Sequence, residues 1–484
     1  MTRPIQVSSR ATEPSSAHRT TGQRRWWALG FVLTGNLAVF AAVTMMNVAL
    51  PEAQRVLGLS DSSLAAVVTL YSLFFGASML LGGRLADVLG LRRSLISGMV
   101  GFAAASLLGG LAMTAEVLLV ARALQGVAGA LVAATALAII SVMFPEGTDR
   151  SRAFAAFGMV MGMGTAASFA LAGALVDGMS WRWVMLVNTP LALVVALGLA
   201  RTAPITPTAA HRQLGLGSAA LVTTALGLLV FGFDRTRVLG WAEPQVWAIL
   251  VGAAALFSMF VVTLRRSANP LVPQQLLADR QRLAAFVAVF AVGIGMFAGM
   301  YILTSFLQGV LGYSALVTGV AFLPFGLGAV VTSQLLSAAA DRVRSGVMLG
   351  VGLLVVAAAI ATFMRLGPDA TYLTGILPAM LLLGVGGTIV MVVGSNTATA
   401  NAGTDSGIAS ALVNSGQQIG AALGTALLTA VMAASANRHV GRLGPEETAM
   451  SGYGDASVVG AAVVAVSAVA VLVLSRSADR ARLA

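Results

Sequence analysis

Gly83-Arg84-Leu85-Ala86-Asp87-Val88-Leu89-Gly90-Leu91-Arg92-Arg93 stands between two apolar runs, 63–82 and 94–113, in a chain of 484 residues without lysine or cysteine. Short, cationic and punctuated by glycine, it reads as a turn between two membrane crossings. The rest of the chain agrees. Hydrophobic residues make up 58% and charged residues 10%, whereas soluble domains are about half apolar and a quarter charged. The apolar stretches recur near the roughly 20 residues that span a bilayer as helix. Lipid satisfies no backbone group, so runs this long must be helical, and the absence of alternation excludes a β-barrel. The fold class is all-α, a polytopic membrane protein.

Fourteen spans are predicted: 27–50, 63–82, 94–113, 116–143, 153–176, 183–201, 215–234, 245–264, 283–307, 317–339, 347–365, 372–398, 408–434 and 456–474. An even number puts both termini on one side. Arginines concentrate in the tails and in the loops on that side, which makes it the cytoplasmic face of the plasma membrane. The pI near 11.3 therefore reflects topology and contact with anionic lipid, not nucleic-acid binding, for which the arginines are too dispersed. Residues 1–26, rich in Ser, Thr, Pro and Arg, read as a disordered cytosolic tail, and 475–484 as a second one. His18, His211 and His439 are too scattered for a metal site. No cofactor is expected.

An internal repeat supplies the architecture. Ala339-Ala340-Asp341-Arg342-Val343 echoes Leu85-Ala86-Asp87-Val88-Leu89 at an offset of 254 residues. Two related six-helix bundles follow, 27–201 and 283–474, with an inserted helix pair and linkers over 202–282. Repeats of this kind place a substrate cavity at the midplane and work by rocking.

Within this frame a few residues carry chemistry. In the turn, Gly83 and Gly90 permit tight bends or close approach, while Asp87 can accept hydrogen bonds from a helix N-terminus or from Arg92 and Arg93. The alternative is a basic turn that only sets topology. Arg122 is the one arginine well inside a span, where a charge is costly and marks function by default. Gln125, Gly126 and Gly129 share its helix face, and the glycines there, like Gly158 and Gly162 in span 5, let helices approach. Asn36, Phe40, Thr44 and Asn47 form a stripe along span 1. Tyr301 and Gln308 in span 9, with Asn414, Gln417 and Gln418 in span 13, offer an opposing polar surface. Each lines a cavity or forms an interhelical hydrogen bond. There is no nucleophile-base-acid set, metal spacing or phosphate loop, so no enzyme is expected.

The chain resembles the major facilitator superfamily, and its fourteen spans are similar to those of the drug:proton antiporters of that size. The resemblance rests on Gly83 to Arg93 with Leu95, on Arg122-Ala123-Leu124-Gln125-Gly126-Val127-Ala128-Gly129-Ala130, on Asn47-Val48-Ala49-Leu50-Pro51, and on Asp177-Gly178-Met179-Ser180-Trp181-Arg182-Trp183 with Asn188 and Pro190. Gly407 to Gly424 also looks familial. It implies that the Gly83–Arg93 turn is a conformational latch, that Arg122 serves substrate or proton coupling, and that protons are exchanged for a small amphipathic drug or metabolite. Two positions depart from the pattern. Ala42 stands where the family has an aspartate, and span 5 reads Ser168-Phe169 and Ala172-Gly173 in place of Gly-Pro and Gly-Gly pairs.

With no acid visible inside a span, Arg122 is satisfied either by carbonyls and amides such as Gln125 or Asn36, or by an anionic substrate. The expected function is export of amphipathic drugs or antibiotic-like metabolites by proton antiport through alternating access, from a monomer. The alternatives are a facilitator or anion exporter without direct proton coupling, and a non-transport sensor or scaffold.

Overall fold

The computed structural model describes residues 22–144, 147–204, 216–266, 274–339, 343–367, 370–400, 406–439 and 444–483. All regular structure among them is helical: α1 Gly22–Leu57, α2 Asp61–Leu89, α3 Leu91–Gly110, α4 Ala115–Met143, α5 Gly147–Gly178, α6 Trp183–Leu186, α7 Asn188–Thr202, α8 Leu216–Leu239, α9 Pro244–Arg266, α10 Gln274–Ala278, α11 Arg280–Gly309, α12 Ala315–Ala321, α13 Leu323–Ala339, α14 Ser345–Thr362, α15 Leu377–Thr399, α16 Ser406–His439 and α17 Pro445–Leu483. Eleven of the described stretches are long and apolar enough to cross a membrane, and α2, α5 and α8 carry shorter apolar runs. Together they coincide with the fourteen expected spans.

Proline explains where expected single spans are interrupted. Its missing N–H removes the bond to the carbonyl four residues back. Pro190 follows the α6–α7 break at Val187, Pro324 the α12–α13 break at Phe322, and Pro378 a π turn over Tyr372–Ile376. The ends also differ from expectation. α1 begins at Gly22, inside the expected tail, and α17 continues to Leu483, through most of the expected C-terminal tail. Residues 1–21, and Ala340 to Arg342 of the repeated loop, lie outside the described residues.

Two helical bundles organise the chain. In the first, α4 packs on α2 and α3, while α1 packs on α5 and α7; in the second, α11, α14, α15, α16 and α17 pack on one another and α13 on α15. The bundles meet along two seams, α2 against α16 and α5 against α12 and α13. At the first, a Cβ on Gly76 would stand 3.0 Å from the Ser415 carbonyl oxygen, so only glycine allows this approach. The inserted hairpin α8–α9 lies over that seam. It forms a separate apolar cluster in which Val222, Leu226, Phe260 and Leu264 meet Leu73 of α2 and Ala422 of α16.

Candidate functional site

Arg122 is fully buried in α4. Its Nε donates to the Val67 carbonyl at 3.0 Å, and its Nη1 donates to Gln125 Oε1 at 2.6 Å and to the Ala42 carbonyl at 3.4 Å. The guanidinium carbon sits 4.3 Å from the centroid of the Tyr71 ring, a cation–π contact strengthened by exclusion of water. Gln125 passes the interaction on: its Nε2 donates to Ser106 Oγ at 2.8 Å, which donates to the Phe102 carbonyl at 2.6 Å. Four helices thus hold one cation with neutral groups. No Asp or Glu is buried among the described residues, and Nη2 has no partner.

Glycine makes the site possible. Gly126 lies against the Tyr71 backbone so closely that a Cβ would overlap its carbonyl oxygen, and a Cβ on Gly129 would stand 3.0 Å from Val39 and 3.1 Å from the Tyr71 hydroxyl. Tyr71 donates that hydroxyl to the Val39 carbonyl at 2.6 Å, fixing its ring beneath Arg122. Phe75 stacks beside Tyr71 at 5.9 Å, and Phe40 meets Phe75 edge-on at 5.8 Å. The α1 stripe therefore converges on the Arg122 site through Phe40. Tyr71 and Ser106 are not among the residues the sequence points to; for Tyr71 the available signal is an aromatic hydroxyl inside an apolar span.

The rest of the stripe is interior. Thr44 is buried and donates to the Ala41 carbonyl within its own helix, and Asn36 is buried. Asn47 is fully buried with neither amide atom partnered. Opposite, Gln308 Nε2 donates to the Val48 carbonyl at 3.1 Å, joining α11 to α1 across the bundles. Tyr301, Gln417 and Gln418 are buried, and half-buried Asn414 donates to the Ser410 carbonyl at 3.0 Å. On α16, Ser415 and Ile419 face α2, Gln417 and Gly420 face α11, and Leu412 and Leu423 face the α8–α9 cluster. Asn414 and Gln418 consequently point away from the hairpin, towards the interior between α2 and α11.

The Gly83–Arg93 segment carries the end of α2 into the start of α3. Gly90 adopts φ 84, the left-handed region where glycine avoids the Cβ penalty, and it joins α2 to α3 directly. Gly83 sits within α2 with open space around it. Arg92 donates to the Ala200 carbonyl near the end of α7, the cation meeting a helix C-terminus; Arg93 is exposed. The side chain of Asp87 and the surroundings of Gly158 and Gly162 lie outside what is described. At the opposite face, Arg182 donates to the Ala112 carbonyl at 2.9 Å and lies 4.8 Å from the Trp181 ring. This ties the α5–α6 turn to the α3–α4 turn.

Comparison with known proteins places this architecture. The chain is 41% identical over 84% of its length, and 81% of the relative's, to the puromycin resistance protein pur8 of Streptomyces alboniger. It is 35% identical to the cephamycin export protein CmcT of Amycolatopsis lactamdurans, over 89% of this chain and 88% of that one. It is 31% identical to the lincomycin resistance protein of Streptomyces lincolnensis, over 86% of each. Among solved structures, a peptide transporter POT in complex with sulfate superposes with a TM-score of 0.66 at 16% identity, over 94% of this chain and 95% of that one, a likeness of fold. The family model described as the Major Facilitator Superfamily matches residues 32–425, and the chain belongs to that superfamily.

Proposed function

We propose that the chain is a secondary transporter of the plasma membrane that exports amphipathic, antibiotic-like compounds. The observation that carries this is its similarity, over most of its length, to proteins named for puromycin resistance and cephamycin export. In this reading the bundles 27–201 and 283–474 rock about a shared interior, and the α1 stripe, Arg122, Gln125, Tyr301, Asn414 and Gln417 serve substrate or coupling. Residues 202–282 supply the inserted pair, both termini face the cytoplasm, and a monomer surrounded by anionic lipid is the working unit.

Proton antiport drives the export. Each proton crossing 100 mV supplies about 2.3 kcal/mol, enough for roughly 50-fold accumulation. Uptake of puromycin into inverted vesicles tests the reading, with the pH gradient and the potential collapsed separately. Antiport predicts loss of uptake when the pH gradient disappears, and absence of any energised uptake would refute export.

A second reading, anion export without direct protonation, draws on the unpartnered Nη2 of Arg122 and on the lack of a buried carboxylate among the described residues. Because the guanidinium is fully enclosed, an anion would reach it only once the packing of α1, α2 and α4 around it opens. Matched anionic and cationic dyes assayed with Arg122→Ala separate the readings. Selective loss of the anion favours the second, and equal loss of both removes it.

A further inference from the structure

The seam between α5 and α12 holds a polar contact that none of the expected site residues makes. Asp177, next to last in α5, accepts from the Ala315 amide at 3.1 Å through Oδ1 and from the Leu316 amide at 2.9 Å through Oδ2. These are the first two amides of α12, which have no carbonyl partner within their own helix. Ser314 caps the third, accepting from Val317 at 3.3 Å. The remaining two are satisfied from the other bundle.

Beneath Asp177 the seam is backbone on backbone. Gly173 lies against Ala315 and Leu316, and Gly319 against Phe169, so closely that a Cβ on either would overlap main-chain atoms. Phe169 and Phe322 stack at 4.5 Å and 7°. Thr318, one turn into α12, is fully buried. Such van der Waals packing parts without breaking any directional bond, whereas Asp177 must release two amides before the bundles can separate here. The end of α5, one of an odd number of crossings from the N-terminus, lies at the face opposite the chain ends.

We propose that Asp177 is the catch of the gate at that face, a helix cap supplied across the seam that holds the face shut until the bundles rock. The proposal rests on the alternating-access reading and not on what is carried. Asp177 is solvent-exposed, so its effect is that of a cap, typically ~1 kcal/mol, or about fivefold in the equilibrium between shut and open.

The chain has no cysteine, so single reporters need no background removed. In lipid nanodiscs, Thr318→Cys is labelled with a membrane-impermeant maleimide, and Ser457→Cys, fully buried in α17, serves as a control. Asp177→Ala, which removes both acceptors, is expected to speed labelling at 318 about fivefold and leave 457 unlabelled. Ala315→Pro should act likewise, because it deletes one of the two donors while proline suits the first helical position and Ser314 already has the extended backbone proline requires of its predecessor (ψ 163). Unchanged labelling at 318 in both variants, against a finite wild-type rate, overturns the catch. A rise at both reporters overturns it in favour of a general structural role. No labelling at 318 in any background overturns rocking itself, and with it the functional reading.

Discussion

The guanidinium of Arg122 reaches the backbone carbonyl of Ala42, with Nη1 3.4 Å from the oxygen, at the residue where the resembling antiporters carry an aspartate. A carbonyl dipole, a second carbonyl from Val67, the Gln125 amide and the face of Tyr71 stand in for a counter-ion. Each is weaker than a carboxylate, yet together they occupy Nε and Nη1 and cover one face of the guanidinium. The site is therefore a geometric one, and its fork of donors matters as much as its charge.

Arg122→Lys should not rescue Arg122→Ala. Lysine offers a point charge that cannot reach the Val67 carbonyl and Gln125 together. Drug efflux by the lysine variant is expected to fall at least about tenfold, in line with one lost charged hydrogen bond of about 1.5 kcal/mol. Efflux within twofold of wild type would show that charge alone suffices.

Three glycines should separate sharply in melting temperature in detergent. Gly126→Ala drives a Cβ into the Tyr71 backbone and should cost about 1–3 kcal/mol. Gly90→Ala is penalised by its positive φ, about 1–2 kcal/mol. Gly83→Ala, with open space in mid-helix, should be neutral or stabilising by roughly 0.5–1 kcal/mol. Equal effects at all three positions would contradict these local environments.

Asn47→Leu should raise stability and lower transport. Both amide atoms are buried without partners, a burden of about 1–3 kcal/mol that an apolar side chain removes. Retention of such a group fits a role in another stage of the cycle, where substrate or water meets it. A variant with higher melting temperature and full efflux would assign Asn47 no part in transport.

The sequence was most informative where the physics is one-dimensional. Apolar runs located the spans because every crossing must be about 20 residues of helix, and Arg122 stood out because a charge inside a span needs a reason. Its partners were harder to read. Gln125, three residues away on the same face, was legible, but the Val67 and Ala42 carbonyls were not, since every residue carries the same backbone acceptor. Asp177 was visible as the first residue of a familial segment, but its partners, 138 and 139 residues away, exist only once the bundles meet. The interruptions near Pro190, Pro324 and Pro378 were not legible from the apolar runs, because hydropathy continues across each of them.

The central claim, that the bundles rock about a shared interior, is tested most directly at Gln308 and Val48, whose hydrogen bond joins α11 to α1 across the bundles. With cysteines at both positions, a short bismaleimide should tie that face shut. Uptake into inverted vesicles is predicted to drop to background on crosslinking, while either single-cysteine variant treated alike keeps its flux. Undiminished uptake by the crosslinked protein would contradict the account.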